Sequence, residues 1–238
     1  VTSSEPAEAI HRANVYEIVA ERMLDDISEG RFAPGASLPP ERELAQRFGV
    51  GRSSVREALR VLESHGVVRA DRHAQFVVRN EAEMLIPAVA MLVTLGHATL
   101  RDVHELRRSL EIEIAGLAAL RRTDSDLKLI NLAMERMKDS LGSRSATMQA
   151  DLAFHAAVAG ASHNRALTAM STAVCTTLSG TLRGSYHVSA EVMAQHGAVA
   201  DAIQKQDVEL ARRRIQEHME WITSIIPLED AGYEEAVR

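Results

Sequence analysis

Apolar residues recur at three- and four-residue spacing along most of the chain, so the sequence predicts helices almost throughout. Residues 7 to 29 form the first such pattern, carried by Ile10, Val15, Ile18, Val19, Met23, Leu24 and Ile27. Gly30 ends it and Pro34-Gly35 makes a turn. Pro39 and Pro40 precede Glu41-Arg42-Glu43, a helix entry with acids in its first turn, and Gly49 closes that helix. A third helix runs from about Arg52 to His65 and stops at Gly66. It has two faces. Val55, Leu59 and Leu62 make a core-facing stripe, while Arg52, Arg56 and Arg60 recur every fourth residue on the opposite side, with no acid on that stripe. Val67-Val68 and Phe76-Val77-Val78 then read as two short strands joined by residues 71 to 75, a hairpin or wing. Three helices and a wing describe a winged helix-turn-helix over residues 1–80.

After Asn80 the pattern holds no convincing strand. Helices are expected near 83–95, 99–122, 124–141, 146–160, 163–184, 188–205 and 207–226, with breaks at Gly96, Thr123, Gly142-Ser143, Ser162 and Tyr186 to Ser189. Thr123-Asp124-Ser125-Asp126 has the form of a helix cap. Short connections imply antiparallel packing, so residues 81–238 should form an all-helical bundle of about six or seven helices. The fold class expected is mainly α, and the tail from Pro227 is expected to fray.

Composition sharpens this picture in two places. Aromatic residues are only 3% of the chain while Ala, Leu and Arg are plentiful, which favours helix over sheet. No apolar run is long enough to span a membrane and no signal peptide is visible; with the lone Cys175, this fits a cytoplasmic protein and excludes an internal disulfide. The net charge of −6 hides an asymmetry. Residues 42 to 79 hold eight arginines against four acids, while residues 81 to 238 hold sixteen Lys and Arg against twenty-one acids. A basic patch on an otherwise acidic protein is an electrostatic footprint for nucleic acid. A helix that buries one face and presents three guanidinium groups on the other suits a DNA major groove, where arginine pairs with phosphates or guanine edges.

Asp151 and His155 sit four residues apart, so both side chains leave one face of a helix. His196 lies within the apolar stripe Val192, Val199, Ile203, and His218 within Ile215, Met219, Ile222, so both imidazoles point into the bundle. One carboxylate and three imidazoles from three helices can bind a divalent transition metal and leave positions open for water or ligand. Spacing alone leaves two alternatives: ordinary packed histidines with a surface Asp151–His155 pair, or a helical metalloenzyme that activates water. Arg107 and Glu111, also four apart, flank the buried positions Leu106, Leu110 and Ile114. They read equally as a carboxylate-binding pair or a plain helix-surface ion pair. His11, His65, His73, His97, His104, His163 and His187 show no comparable arrangement and are expected mostly at the surface or as caps; Cys175 is expected to serve packing.

The residues Gly35, Leu38-Pro39-x-Glu41-Arg42-x-Leu44-Ala45, Val50-x-Arg52 and Val55-Arg56-Glu57-Ala58-Leu59-x-x-Leu62 resemble the GntR family of bacterial transcription regulators. Glu105-x-Arg107-x-x-Leu110-Glu111, Asp151-x-x-Phe154-His155 with Asn164, His196 to Ile203, and His218 resemble its FadR-type branch with a helical FCD domain. The resemblance implies that Arg42, Arg52 and Arg56, with Ser53 and Ser54, touch operator DNA. It implies that Asp151, His155, His196 and His218 hold a metal (Zn, Ni, Mn or Fe), and that a small organic acid binds beside it through Arg107, Glu111 and Asn164. It further implies a homodimeric, metabolite-responsive repressor with no enzymatic activity and no membrane partner, residues 81–238 serving effector binding and dimerisation. Two departures stand out. Gly51 replaces the family's usual Ser or Thr, losing one phosphate-contacting hydroxyl. His73 and Gln75 replace wing glycines, so any minor-groove contact falls to Arg72 or His73.

Overall fold

A computed structural model of the chain describes residues 14–73, 75–140, 143–181 and 190–225. Expected features at 7–13, 182–189 and beyond Ile225, including His11, His187 and the tail, lie outside the described residues. The elements run α1 (Val15–Ser28), α2 (Glu41–Phe48), α3 (Arg52–Ser64), β1 (Val68–Ala70), β2 (Phe76–Val78), then α4 (Glu81–Thr94), α5 (Leu100–Arg121), α6 (Asp124–Asp139), α7 (Arg144–Ala161), α8 (Arg165–Thr181), α9 (Ala190–Gln204) and α10 (Val208–Ile225). The chain divides into two compact units, the first ending at Asn80 and the second starting at Glu81.

In the first unit, Asn14 and Glu17 form a capping box that starts α1, and Gly49 closes α2 in the left-handed conformation at φ +67°. Val55, Ala58, Leu59 and Leu62 of α3 pack against Val19, Ala20 and Met23 of α1, whereas Val15, Ile18 and Leu24 of the same apolar pattern stay exposed. β1 and β2 pair antiparallel, Val68 opposite Val78 and Ala70 opposite Phe76. The sequence pattern does not reveal that the segment around Ser37 joins this hairpin. Ser37 bridges Val77, the Leu38 N–H donates to the Phe76 carbonyl at 2.7 Å, and the Gly35 N–H donates to the Val78 carbonyl at 2.8 Å. Three residues beside a Pro-Gly turn are too few to show a period of two.

Asp26 anchors the corner between α1 and α2. Its buried carboxylate accepts from Arg31 Nε and Arg47 Nη2, both at 2.6 Å, and the Arg47 guanidinium also lies over the Phe32 and Phe48 rings. Arg47 therefore serves the fold.

The second unit has seven helices among the described residues, α4 to α10. α5 is the hub, packing on α7, α8, α9 and α10. Capping boxes start α5 (Thr99 with Asp102) and α6 (Thr123 with Asp126). Ile114, Ile130, Met137, Phe154, Val158, Val199, Ile203 and Ile215 form the main core; a second cluster around Val89, Val103, Val174, Leu178 and Ile222 packs beside it. His104 departs from the surface role expected of it. It is buried on α5, its Nε2 is 2.9 Å from Thr223 Oγ1 of α10, and burial with Arg107 nearby holds its imidazole down at about 4. The position is invisible in sequence because Leu100 and Val103 already account for the local apolar stripe. No described helix is long and apolar enough to cross a membrane.

Candidate functional site

The first unit presents the exposed arginines predicted for it. Arg42, Arg52, Ser53 and Arg56 are exposed and Ser54 is half-buried, all at the α2–α3 corner, where Gly51 caps α3 without a side chain. The arginine stripe is not free of acid in three dimensions. Glu41, at the first position of α2, accepts from Arg56 Nε at 3.0 Å and Nη2 at 2.8 Å, and lies 3.8 Å from Arg52 Nη2. Hydrogen bonds from Arg56 hold the Glu41 carboxyl below its usual range. Arg60 lies 3.6 Å from Glu57. The wing turn is closed without glycine: the Asp71 carboxylate accepts from the His73 and Gln75 N–H groups at 2.8 and 2.9 Å. This aspartate turn leaves Arg72 and His73 exposed at the tip.

In the second unit, α7, α9 and α10 bring His155, His196 and His218 together, all buried, with one ligand atom of each lying within 4.8 Å of the others. His196 Nε2 stands 3.1 Å from His218 Nε2. Asp151 Oδ1 lies 3.9 Å from His155 Nε2 and 3.7 Å from His196 Nε2, and Asp151 is itself buried. The alternative of a surface Asp151–His155 pair is thereby removed.

The outward nitrogens explain why the rings face inward. Glu111 Oε2 accepts from His155 Nδ1 at 3.0 Å, and Gln195 Oε1 accepts from His218 Nδ1 at 2.8 Å. His196 Nδ1 lies 3.5 Å from Met137 Sδ, and its ring stacks on Phe154 at 4.3 Å. With its Nδ1–H donating a hydrogen bond to a carboxylate or amide oxygen, an imidazole turns the Nε2 lone pair inward, the arrangement metal-ligating histidines need. Burial, followed by the neighbouring rings and Arg107, holds His196 well below its usual range and His218 at about 2, so neither must shed a proton to ligate at neutral pH. Two nitrogens each about 2.1 Å from one ion in adjacent positions stand roughly 3.0–3.4 Å apart, which accommodates the 3.1 Å pair. The donor set fits a divalent transition metal.

Arg107 and Glu111 belong to this cluster and form no surface ion pair. Arg107 Nη2 lies 2.8 Å from His155 Nε2, and its Nε lies 3.6 Å from Glu111 Oε1. Burial pushes the Glu111 carboxyl up, but His155 and Arg107 outweigh it and hold the group at about 2. Cys175 and Ser171 of α8 donate to Glu111 Oε1 at 3.4 and 3.5 Å, and burial pushes the Cys175 thiol up to about 12, so it stays a donor. A small cavity of about 30 Å³ opens between α7 and α8 beside His155, lined also by Ser171, Thr172, Cys175 and Thr176. Asn164 lies in the turn between α7 and α8, where its Oδ1 accepts from the Leu167 N–H at 3.1 Å at the start of α8.

The family model for bacterial regulatory proteins of the gntR family matches residues 15–78, and that of the FCD domain matches residues 102–220. The chain belongs to the GntR family. An L-lactate dehydrogenase operon regulatory protein of Escherichia coli, so named, is 31% identical over 86% of this chain and 83% of its own length. The Escherichia coli transcriptional repressor NanR is 30% identical over 90% of this chain and 84% of its own. An HTH-type transcriptional regulator of Mycobacterium tuberculosis is 36% identical over 66% of this chain, and the match spans 65% of that regulator. The structure of a GntR protein from Streptococcus agalactiae superposes with a TM-score of 0.71 at 25% identity, covering 88% of this chain and 99% of that one. Within this GntR-family chain, sequence reasoning misses Glu41, Gln195, Met137 and Ser171. A glutamine beside a histidine or a methionine in an apolar stripe carries no signal until helices are packed.

Proposed function

We propose that this GntR-family protein is a homodimeric, operator-binding repressor whose helical unit holds one divalent transition metal and a small carboxylate effector. It acts by binding and not by turnover. The observation that carries the metal reading is the inward convergence of three buried imidazoles, two of them held by oxygen acceptors on their outward nitrogens. Asp151, His155, His196 and His218 would hold the ion, and the ion supplies a Lewis-acid centre with positions left for a carboxylate. Arg107 supplies the charge that meets such an acid bidentately. Ser171, Thr172 and Thr176 give the adjoining cavity a hydroxyl-bearing wall.

In the first unit, exposed Arg42, Arg52 and Arg56 with Ser53 and Ser54 contact operator DNA, and Arg72 and His73 reach it from the wing tip. Met91 and Leu92 of α4, with Leu95 just past its end, leave an exposed apolar stretch, which suits self-association. The names of the E. coli relatives, a repressor and an operon regulatory protein, support the same reading. By linkage, the acid shifts operator affinity as far as it prefers one state of the dimer.

Elemental analysis of tag-free protein, with native mass spectrometry, tests the metal half: about one metal ion per subunit is expected. His196→Ala should lose that metal while keeping its affinity for non-specific DNA. Full metal occupancy in the variant removes His196 from the ligand set. Protein that neither holds nor takes up metal reduces the cluster to packing.

A further inference from the structure

We propose that Arg107 is a built-in stand-in for the metal: its guanidinium occupies the ligating face of His155 and must leave before that nitrogen can bind an ion. The proposal rests on the metal reading above and adds an order of events to it.

His155 Nε2 has a single lone pair in the ring plane. Glu111 Oε2 accepts a hydrogen bond from Nδ1–H at 3.0 Å, and the Arg107 Nη2 N–H, which can only donate, points at Nε2 from 2.8 Å. One nitrogen cannot accept from a guanidinium and ligate a cation at once. The arginine is no incidental surface contact, since its side chain is 12% exposed and reaches Glu111 with its Nε at 3.6 Å. It supplies positive charge inside a cluster of three imidazoles and two carboxylates, the role an ion would otherwise take.

Displacing it has a consequence. A guanidinium a few ångströms from a divalent cation is repelled, and an acid whose carboxylate meets both relieves that repulsion. Arg107 therefore weakens metal binding in the absence of acid, and becomes free to meet an acid only after releasing His155. The two ligands are coupled positively, each raising the other's affinity.

The test uses the full chain, Zn²⁺ in competition with a chromophoric chelator, and acetate as the probe acid. Removing a charge-assisted hydrogen bond that competes for the His155 nitrogen, Arg107→Ala should tighten Zn²⁺ binding by roughly tenfold or more. Acetate should tighten Zn²⁺ binding to the wild type and have no such effect on the variant. Arg107→Gln, which removes the charge and keeps most of the stem, should behave alike. Zn²⁺ binding to both variants that is no tighter than to the wild type overturns the stand-in role and leaves the metal reading intact. Failure of all three proteins to bind Zn²⁺ overturns the metal reading itself. Should the variants misfold, nitrogen NMR of the wild type decides: the His155 Nε2 signal is expected to lose its coupling to the Arg107 guanidinium as Zn²⁺ is added, and persistence of that coupling overturns the proposal.

Discussion

The α2–α3 corner and the histidine cluster each gather candidate functional side chains, but under opposite physical conditions. Arg52 and Arg56 keep 64% and 52% of their side chains in water, where a charge is cheap, salt screens it and its geometry is loosely held. His155, His196 and His218 are buried and exposed by no more than 2%, so each polar atom needs a partner and the partners fix the rings. The exposed set is a matter of charge on a local helix surface. The buried set depends on α5, α6, α7, α9 and α10 arriving together. A change at the corner should alter binding and spare the fold, whereas a change in the cluster should alter both.

The largest effect expected in the first set is that of Arg56→Ala. Loss of a bidentate contact to a base edge is worth about 1–3 kcal/mol, so operator affinity should fall by roughly ten- to a hundredfold in a binding titration. Thermal stability should hardly move, because surface substitutions usually lie within about 0.5 kcal/mol. An unchanged operator midpoint removes Arg56 from the DNA-contacting set. A drop in melting temperature as large as that of a buried histidine variant would show that Arg56 also holds the corner together.

Gln195→Ala comes next and probes the buried set from outside the ligands. Gln195 Oε1 orients His218 through its Nδ1 proton, and such supporting hydrogen bonds are typically worth ten- to a hundredfold in metal affinity. A loss of about tenfold in Zn²⁺ affinity is expected, with operator binding in metal-free buffer unchanged. Equal Zn²⁺ affinity would show that packing against Phe154 and its neighbours alone holds the rings in place.

The same contrast explains how far the sequence could be read. Arg52, Arg56 and the Val55–Leu59–Leu62 stripe are legible because one helix period decides both faces. Asp151 and His155 are legible as a pair for the same reason, and His196 and His218 because each interrupts an apolar stripe. What joins them is long-range: Glu111 to His155 spans 44 residues and Gln195 to His218 spans 23. No local period encodes such partners. His104 was hidden by the same logic, since its partner Thr223 lies 119 residues away. The wing shows the reverse case, where a local device, the Asp71 carboxylate, replaces the glycines the family resemblance leads one to expect.

The smallest effect is the most informative about the corner, because Glu41 brings a partner to the exposed set that resembles those of the buried one. Glu41 holds Arg56 with two hydrogen bonds and draws Arg52 to 3.8 Å, so it fixes their direction while cancelling one positive charge. Fixing the direction lowers the ordering cost of a base contact, and cancelling charge weakens the sequence-independent pull of phosphates. Glu41→Gln should therefore raise affinity for non-specific DNA a few-fold and steepen its salt dependence by about one unit of log–log slope. Operator affinity should gain less or fall, so the ratio between specific and non-specific binding shrinks. If both affinities rise equally, Glu41 acts only through its charge; if neither changes, its pairing with Arg56 gives way whenever DNA is present.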